Sequence, residues 1–246
     1  MDPSLVSARA GTSHTGGADA AVGTLIGVER RGRFITFEGP DGSGKSTQAG
    51  LLAERLKALG LDVLLTREPG GTPLGERVRH VLLARDEGRH SPRADALLFD
   101  AARAQHVDDV IAPALRRGAV VVCDRYADST VAYQGYGSGL PLGRLHEIGA
   151  FATRGMLPDR TILLDLSVEA GLARRSRGAP EGMTRFEAAE SFDAAYHERV
   201  RSGFLALARA EPTRWSVVDA DRPPDVIARD VYLLVARFLE VTIELS

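Results

Sequence analysis

Near the start of the chain, Gly39-Pro40-Asp41-Gly42-Ser43-Gly44-Lys45-Ser46 follows the pattern G-x-x-x-x-G-K-[ST]. Glycines at these places let backbone N–H groups converge on phosphate oxygens, and a helix starting there adds the positive end of its dipole. In such a cradle Lys45 neutralises the β and γ phosphates of a triphosphate, the Ser46 hydroxyl sits on Mg²⁺, and Thr47 extends the nucleotide-facing run. A carboxylate, Asp124, ends the apolar run "VVVCD" and can hold Mg²⁺ through water. Arg67 in "TREPGGT" and Arg125 in "DRYADSTVAYQG" are expected on turns after strand ends. Their planar, always-charged groups suit a dianionic acceptor phosphate held against the repulsion of a second nucleotide.

These groups lie far apart in the chain and need a frame that gathers strand ends. Short β-rich runs recur at 33–38, 62–66, 119–124, 161–166 and 215–220, separated by amphipathic helical stretches. In "STQAGLLAERLKALG", Ala49, Leu52, Ala53, Leu56 and Leu59 share one helical face before Gly60. Continuous apolar strands alternating with helices predict an α/β fold, a five-stranded parallel sheet covered on both faces. Ligands of such sheets bind at the carboxyl ends of the strands, where the phosphate loop falls. Residues 1–31 are rich in Gly, Ala, Ser and Thr without a periodic apolar face, which predicts a flexible N-terminal extension; 32–246 form the P-loop domain.

Composition narrows the function. With 44% hydrophobic and 26% charged residues the 246-residue chain reads as an ordinary globular protein. A net charge of −2 supplies no overall basic field for nucleic acid or an anionic membrane. The single cysteine, Cys123, rules out an internal disulfide and a cysteine metal cluster, fits a cytoplasmic protein, and is expected to be buried in its strand. No apolar run approaches the ~20 residues of a membrane span, and the N-terminus lacks a signal-peptide pattern. The guanine-reading motif N-K-x-D is excluded, because the sequence has no Asn and its only lysines are Lys45 and Lys57. "VCDR" is shorter than the signature of motor ATPases, and no stacked-aromatic RNA motif is present. A small-molecule kinase remains.

Together with "EGPDGSGKST", the segments "TREPGGT" (66–72), "LLFDAAR" (97–103) and "DRYADSTVAYQG" (124–135) resemble thymidylate kinase over about residues 33 to 240. The resemblance implies a P-loop nucleoside monophosphate kinase fold with a mobile lid, Mg²⁺ and ATP as donor, dTMP as acceptor, a place in dTTP synthesis, and a homodimer. It implies that Arg67 and Arg125 contact the dTMP phosphate, that Phe99 stacks on thymine, and that Arg103 bonds to the base edge. Ser129, Thr130 and Gln134 offer polar groups to the base. Tyr133 crowds the sugar against a ribose 2′-OH, and Asp41 takes the 3′-OH.

The arginine-rich segment "GLARRSRGAPEGMTRFE" (171–187) matches the family's lid, about residues 174–186. By resemblance Arg174 stacks on adenine, while Arg175, Arg177 and Arg185 are the cations available to the γ-phosphate. Thr184 stands where the family carries an aspartate. Gly42 stands where some members carry an arginine, which resembles the bacterial type with its cations in the lid. No general base is needed, since the acceptor oxygen is already anionic; each essential cation contributes roughly 3–4 kcal/mol to the transition state. His80, His90, His106, His146 and His197 show no metal spacing, His14 lies in the extension, and Trp215 is expected in the core. Two alternatives stay open: a sibling kinase for another deoxynucleotide or nucleoside, and an inactive nucleotide-binding regulatory module.

Overall fold

Each unit of the fold opens on an apolar strand and closes with a helix that covers it. The computed structural model describes residues 32–84, 90–176 and 194–241, with backbone alone at 175 and 176. The N-terminal extension and most of the lid, including Arg177, Thr184 and Arg185, lie outside the described residues. The strands are β1 (Arg33–Glu38), β2 (Val63–Arg67), β3 (Val120–Asp124), β4 (Arg160–Asp165) and β5 (Trp215–Asp219). They form one parallel sheet in the order β2-β3-β1-β4-β5. The five strand segments expected from sequence are thus all present, with ends displaced by no more than a residue.

The helices are α1 (Lys45–Ala58), α2 (Pro73–Leu83), α3 (Pro92–His106), α4 (Ala112–Arg116), α5 (Ala127–Thr130), α6 (Leu142–Thr153), α7 (Val168–Ser176), α8 (Ala194–Ala210) and α9 (Pro224–Leu239). Thr72 and Ser91 cap α2 and α3 by accepting from the N–H groups of Gly75 and Ala94, with proline at the first helical position of each. Wider π-type turns at Val107–Ile111 and Val131–Gly137 join α3 to α4 and extend α5. In α1, Ala49, Leu52, Ala53 and Leu56 are buried as their spacing requires. Leu59 is 44% exposed because the helix has already ended at Ala58 and Leu59 is its capping residue.

The sheet has a buried layer on each side. Ile35, Phe37, Val120, Val122, Ile162 and Leu164 point towards α1 and α9. Phe34, Val121 and Cys123 meet Ile111, Ala114 and Leu115, while Leu163 packs with Phe204 and Trp215. This is why the central strands β1, β3 and β4 read as unbroken apolar runs: both their faces are covered. Cys123 is fully buried, its thiol donating to the Arg125 carbonyl at 3.0 Å, and burial pushes its pKa well up. β1 and β3 are adjacent although α1, β2 and α2 to α4 separate them in sequence. Their carboxyl ends therefore open a crevice into which the loops after both strands project.

Candidate active site

The loop after β1 wraps the amino end of α1. Lys45 is buried, and its ammonium donates to the Gly39 and Pro40 carbonyls at 3.0 and 2.8 Å and to Ser43 Oγ at 3.4 Å. Burial, helped by the nearby Arg125 charge, lowers its pKa to about 8. Gly42 has φ +81°, and a Cβ there would meet the Gly171 carbonyl of α7 at 2.6 Å. A Cβ on Gly171 would in turn meet the Asp41 carbonyl at 2.7 Å. Only two glycines allow loop and helix to approach so closely.

Ser46 Oγ donates to Asp124 Oδ2, joining the start of α1 to the end of β3. Asp124 Oδ1 is buried without a partner among the described residues. A hydroxyl and a carboxylate with one spare oxygen fit Mg²⁺, which takes few protein ligands beside substrate phosphates and water. Among the described residues no group of three or more His, Cys, Asp or Glu is placed to hold a metal alone.

Beside the loop lies a cleft of about 180 Å³, lined by Asp41, Glu68, Pro69, Arg79, Leu83, Phe99, Arg125, Ser129, Thr130, Tyr133 and Gln134. Arg125 organises it from a left-handed backbone conformation, φ 71°, that costs a non-glycine residue ~1–2 kcal/mol. The Arg125 N–H bond to the Phe37 carbonyl at 3.0 Å holds that conformation. The guanidinium donates to Asp41, to Ser129 Oγ at 3.2 Å and to the Tyr133 hydroxyl at 3.4 Å, and lies over the Tyr133 ring. Burial works against its charge, but Tyr133, Asp41, Asp124 and Glu38 outweigh that and raise its pKa. Tyr133 stands edge-on to Phe204, with ring centroids 5.9 Å apart.

Two predicted residues lie elsewhere. Arg67 is the last residue of β2, not a turn residue; its side chain is 51% exposed and pairs with Glu76 at 3.1 Å. Arg103 is 1% exposed and stands behind the cleft wall, donating to Glu68 at 2.8 Å, to Asp100, and to the Tyr126 carbonyl and Thr130 Oγ1 at 3.2 Å. On the other side of the loop, Arg174 of α7 reaches Asp221 at 3.2 Å. The side chain of Arg175 lies outside the described residues.

Sequence reasoning missed Arg79, Leu83 and Glu38. Arg79 lines the cleft and donates to the Pro69 carbonyl at 2.9 Å; burial, together with the charge of Arg67, lowers its pKa. The signal was available, since Glu76, Arg79 and Leu83 recur at helical spacing just after the Pro-Gly-Gly turn. Glu38 is buried at the end of β1 and accepts from the Tyr126 N–H at 2.8 Å and from Ser129 Oγ at 2.6 Å. Burial, with Asp128 nearby, pushes its pKa up to about 8. Nothing local in "FEGP" announces those partners.

A G-x-x-x-x-G-K-[ST] loop on this sheet order, beside a cleft lined by Arg79 and Arg125, is the arrangement of a P-loop nucleoside monophosphate kinase. The sequence profile described as Thymidylate kinase matches residues 37–231. The chain is 54% identical to the thymidylate kinase of Thermomicrobium roseum, over 84% of this chain and 96% of the relative. It is 49% identical to that of Deinococcus radiodurans, over 84% and 97%. Among solved structures, the thymidylate kinase of Ehrlichia chaffeensis superposes with a TM-score of 0.68 at 34% identity, covering 83% of this chain and 98% of the other. The chain belongs to the thymidylate kinase family.

Proposed function

We propose that the cleft beside the phosphate loop holds dTMP and that the loop itself holds Mg-ATP. The enzyme is an ATP-dependent dTMP kinase. An oxygen of the dTMP phosphate bonds to the γ-phosphorus, the bond to the β,γ-bridging oxygen breaks, and dTDP and ADP leave. Lys45 exchanges its loop carbonyls for the β and γ phosphates. Ser46 and Asp124 would hold Mg²⁺, which supplies charge neutralisation at the phosphates. Arg125 takes the acceptor phosphate, Asp41 the sugar hydroxyl, and Phe99 the face of the base. Ser129, Thr130 and Gln134 serve its edges, Tyr133 excludes the ribose 2′-OH, and Arg103 supports the base edge from behind. Arg67 and Arg79 add positive charge at the mouth.

The observation that carries this reading is the Arg125–Asp41 pair within one cleft, with Tyr133 against the guanidinium. It sets a cation and a hydroxyl acceptor side by side, as a nucleoside monophosphate requires. Arg174 next to Asp221 marks the adenine side, and Arg175, Arg177 and Arg185 supply the lid cations. Leu97, Phe151 and Leu157 expose apolar surface at 53%, 88% and 57%, which supports a homodimer. No helix among the described residues is long and apolar enough to cross a membrane, and the lone buried thiol supports a cytoplasmic setting.

The test is ATP-dependent turnover of dTMP, dUMP, UMP, dCMP and free thymidine under matched conditions. A clear preference for dTMP is expected. Equal use of the monophosphates, or preference for free thymidine, overturns the assignment. Sedimentation of the purified protein decides the dimer.

A further inference from the structure

Behind the acceptor cleft runs a largely buried chain of side chains that includes three residues none of these steps uses, Thr66, Glu68 and His106. His106, fully buried at the end of α3, brings Nδ1 to 3.1 Å from Glu68 Oε1 and Nε2 to 2.7 Å from Thr66 Oγ1. A carboxylate only accepts, so Nδ1 carries a hydrogen and donates it to Glu68, while the Thr66 hydroxyl completes the other side of the ring. The second oxygen of Glu68 receives Arg103 Nε at 2.8 Å. Arg103 spends three more N–H groups on Asp100, the Tyr126 carbonyl and Thr130. A guanidinium has five, so one N–H, on Nη1, has no partner among the described residues.

The same ring supports the turn above it. Gly71 has φ +77°, and a Cβ there would come to 2.7 Å from His106 Nε2, so this backbone rests on the imidazole. Glu68, Pro69 and Thr130 are walls of the cleft. The chain Thr66–His106–Glu68–Arg103–Thr130 therefore ties β2 and the Pro-Gly-Gly turn, through α3, to α5.

We propose that His106 is a positioning residue for the acceptor nucleotide, pinning Glu68 and, through Arg103, Thr130, so that these two walls of the cleft keep their places. The proposal rests on the reading of the cleft as the dTMP site. Without the ring, Glu68 keeps one bonded oxygen instead of two, and Arg103 and the turn lose their common anchor. The donor-side groups Lys45, Ser46 and Arg174 are outside this chain, so ATP binding should not change.

Three variants test it, with Phe99→Ala as control. His106→Leu removes both ring bonds, His106→Asn keeps a donor near Nδ1, and Thr66→Val removes only the hydroxyl. For folded His106→Leu, KM for dTMP should rise about tenfold with KM for ATP within about twofold; His106→Asn should recover most of that rise, and Thr66→Val should give about threefold. The proposal is overturned if Phe99→Ala raises KM for dTMP while His106→Leu does not, or if His106→Asn is no better than His106→Leu. If His106→Leu fails to fold, His106→Asn and Thr66→Val decide: raised KM for dTMP in Thr66→Val supports the proposal, and wild-type values in both overturn it. If Phe99→Ala leaves KM for dTMP unchanged, the cleft is not the dTMP site and both readings fall.

Discussion

On the acceptor side of the loop, Arg103 donates four hydrogen bonds to protein groups and Arg125 three, all within a largely buried wall. On the donor side, Arg174 has one partner among the described residues, Asp221, at a half-open surface. Lys45 is held by loop carbonyls that a triphosphate can replace. On the proposed assignment the acceptor side is built before its ligand arrives, so its geometry selects, and the donor side rests on stand-in contacts that ATP would exchange. A rigid selective pocket beside an exchangeable one suits a transferase that must choose the acceptor and release ADP each cycle.

The largest test breaks the donor side. Lys45→Ala should lower kcat by roughly 10³-fold or more with the protein still folded, because no other described cation reaches the loop carbonyls. A coupled ADP-release assay beside a thermal melt checks this, and unchanged turnover refutes the role. Removing Arg175, Arg177 and Arg185 together should lower kcat on the order of 10²-fold while KM for dTMP moves less than about threefold. Steady-state kinetics in both substrates measure the split; a rise confined to KM for dTMP would assign these arginines to the acceptor side.

The next test probes the acceptor wall through pH. Glu38 has a folded pKa near 8, above the ordinary 4.5, so between those values the native state holds a proton that the unfolded chain releases. Stability from this group is present at low pH and falls as pH rises from about 4.5 to about 8. Urea unfolding of wild type and Glu38→Gln across that window should show a shallower slope in the variant; equal slopes would mean Glu38 is ionised throughout. The smallest effect belongs to Asp221. Asp221→Ala frees Arg174 from its partner and should lower KM for ATP about twofold, read from initial rates. A rise instead would make Asp221 part of the ATP site.

Legibility in the sequence followed distance along the chain. The phosphate loop was fully readable because its chemistry is contained in Gly39 to Ser46. The central strands β1, β3 and β4 were readable because burial on both faces removes the polar alternation that blurs strand and loop, while β2 and β5 at the edges keep apolar runs despite exposed Leu65 and Val217. Arg67 and Arg125 both invited the same assignment, yet Arg67 finds Glu76 nine residues away, whereas Arg125 finds Asp41 across 84 positions. Arg103 shares a helix with Phe99, but Glu68, 35 residues earlier, draws it behind the wall. Arg79 and Glu38 acquire their settings only when β3 lies between β2 and β1. Pairing across the sheet is decided by the whole core and leaves no local mark.

The contact of Gly42 with Gly171 constrains how this enzyme could be altered. Each backbone occupies the space where the other residue's Cβ would stand. An arginine introduced at position 42, to supply a loop cation directly, would have to push α7 away, and α7 carries Arg174 and leads into the lid. The two positions are therefore epistatic. A cation placed at position 42 calls for a rebuilt β4–α7 junction in the same step.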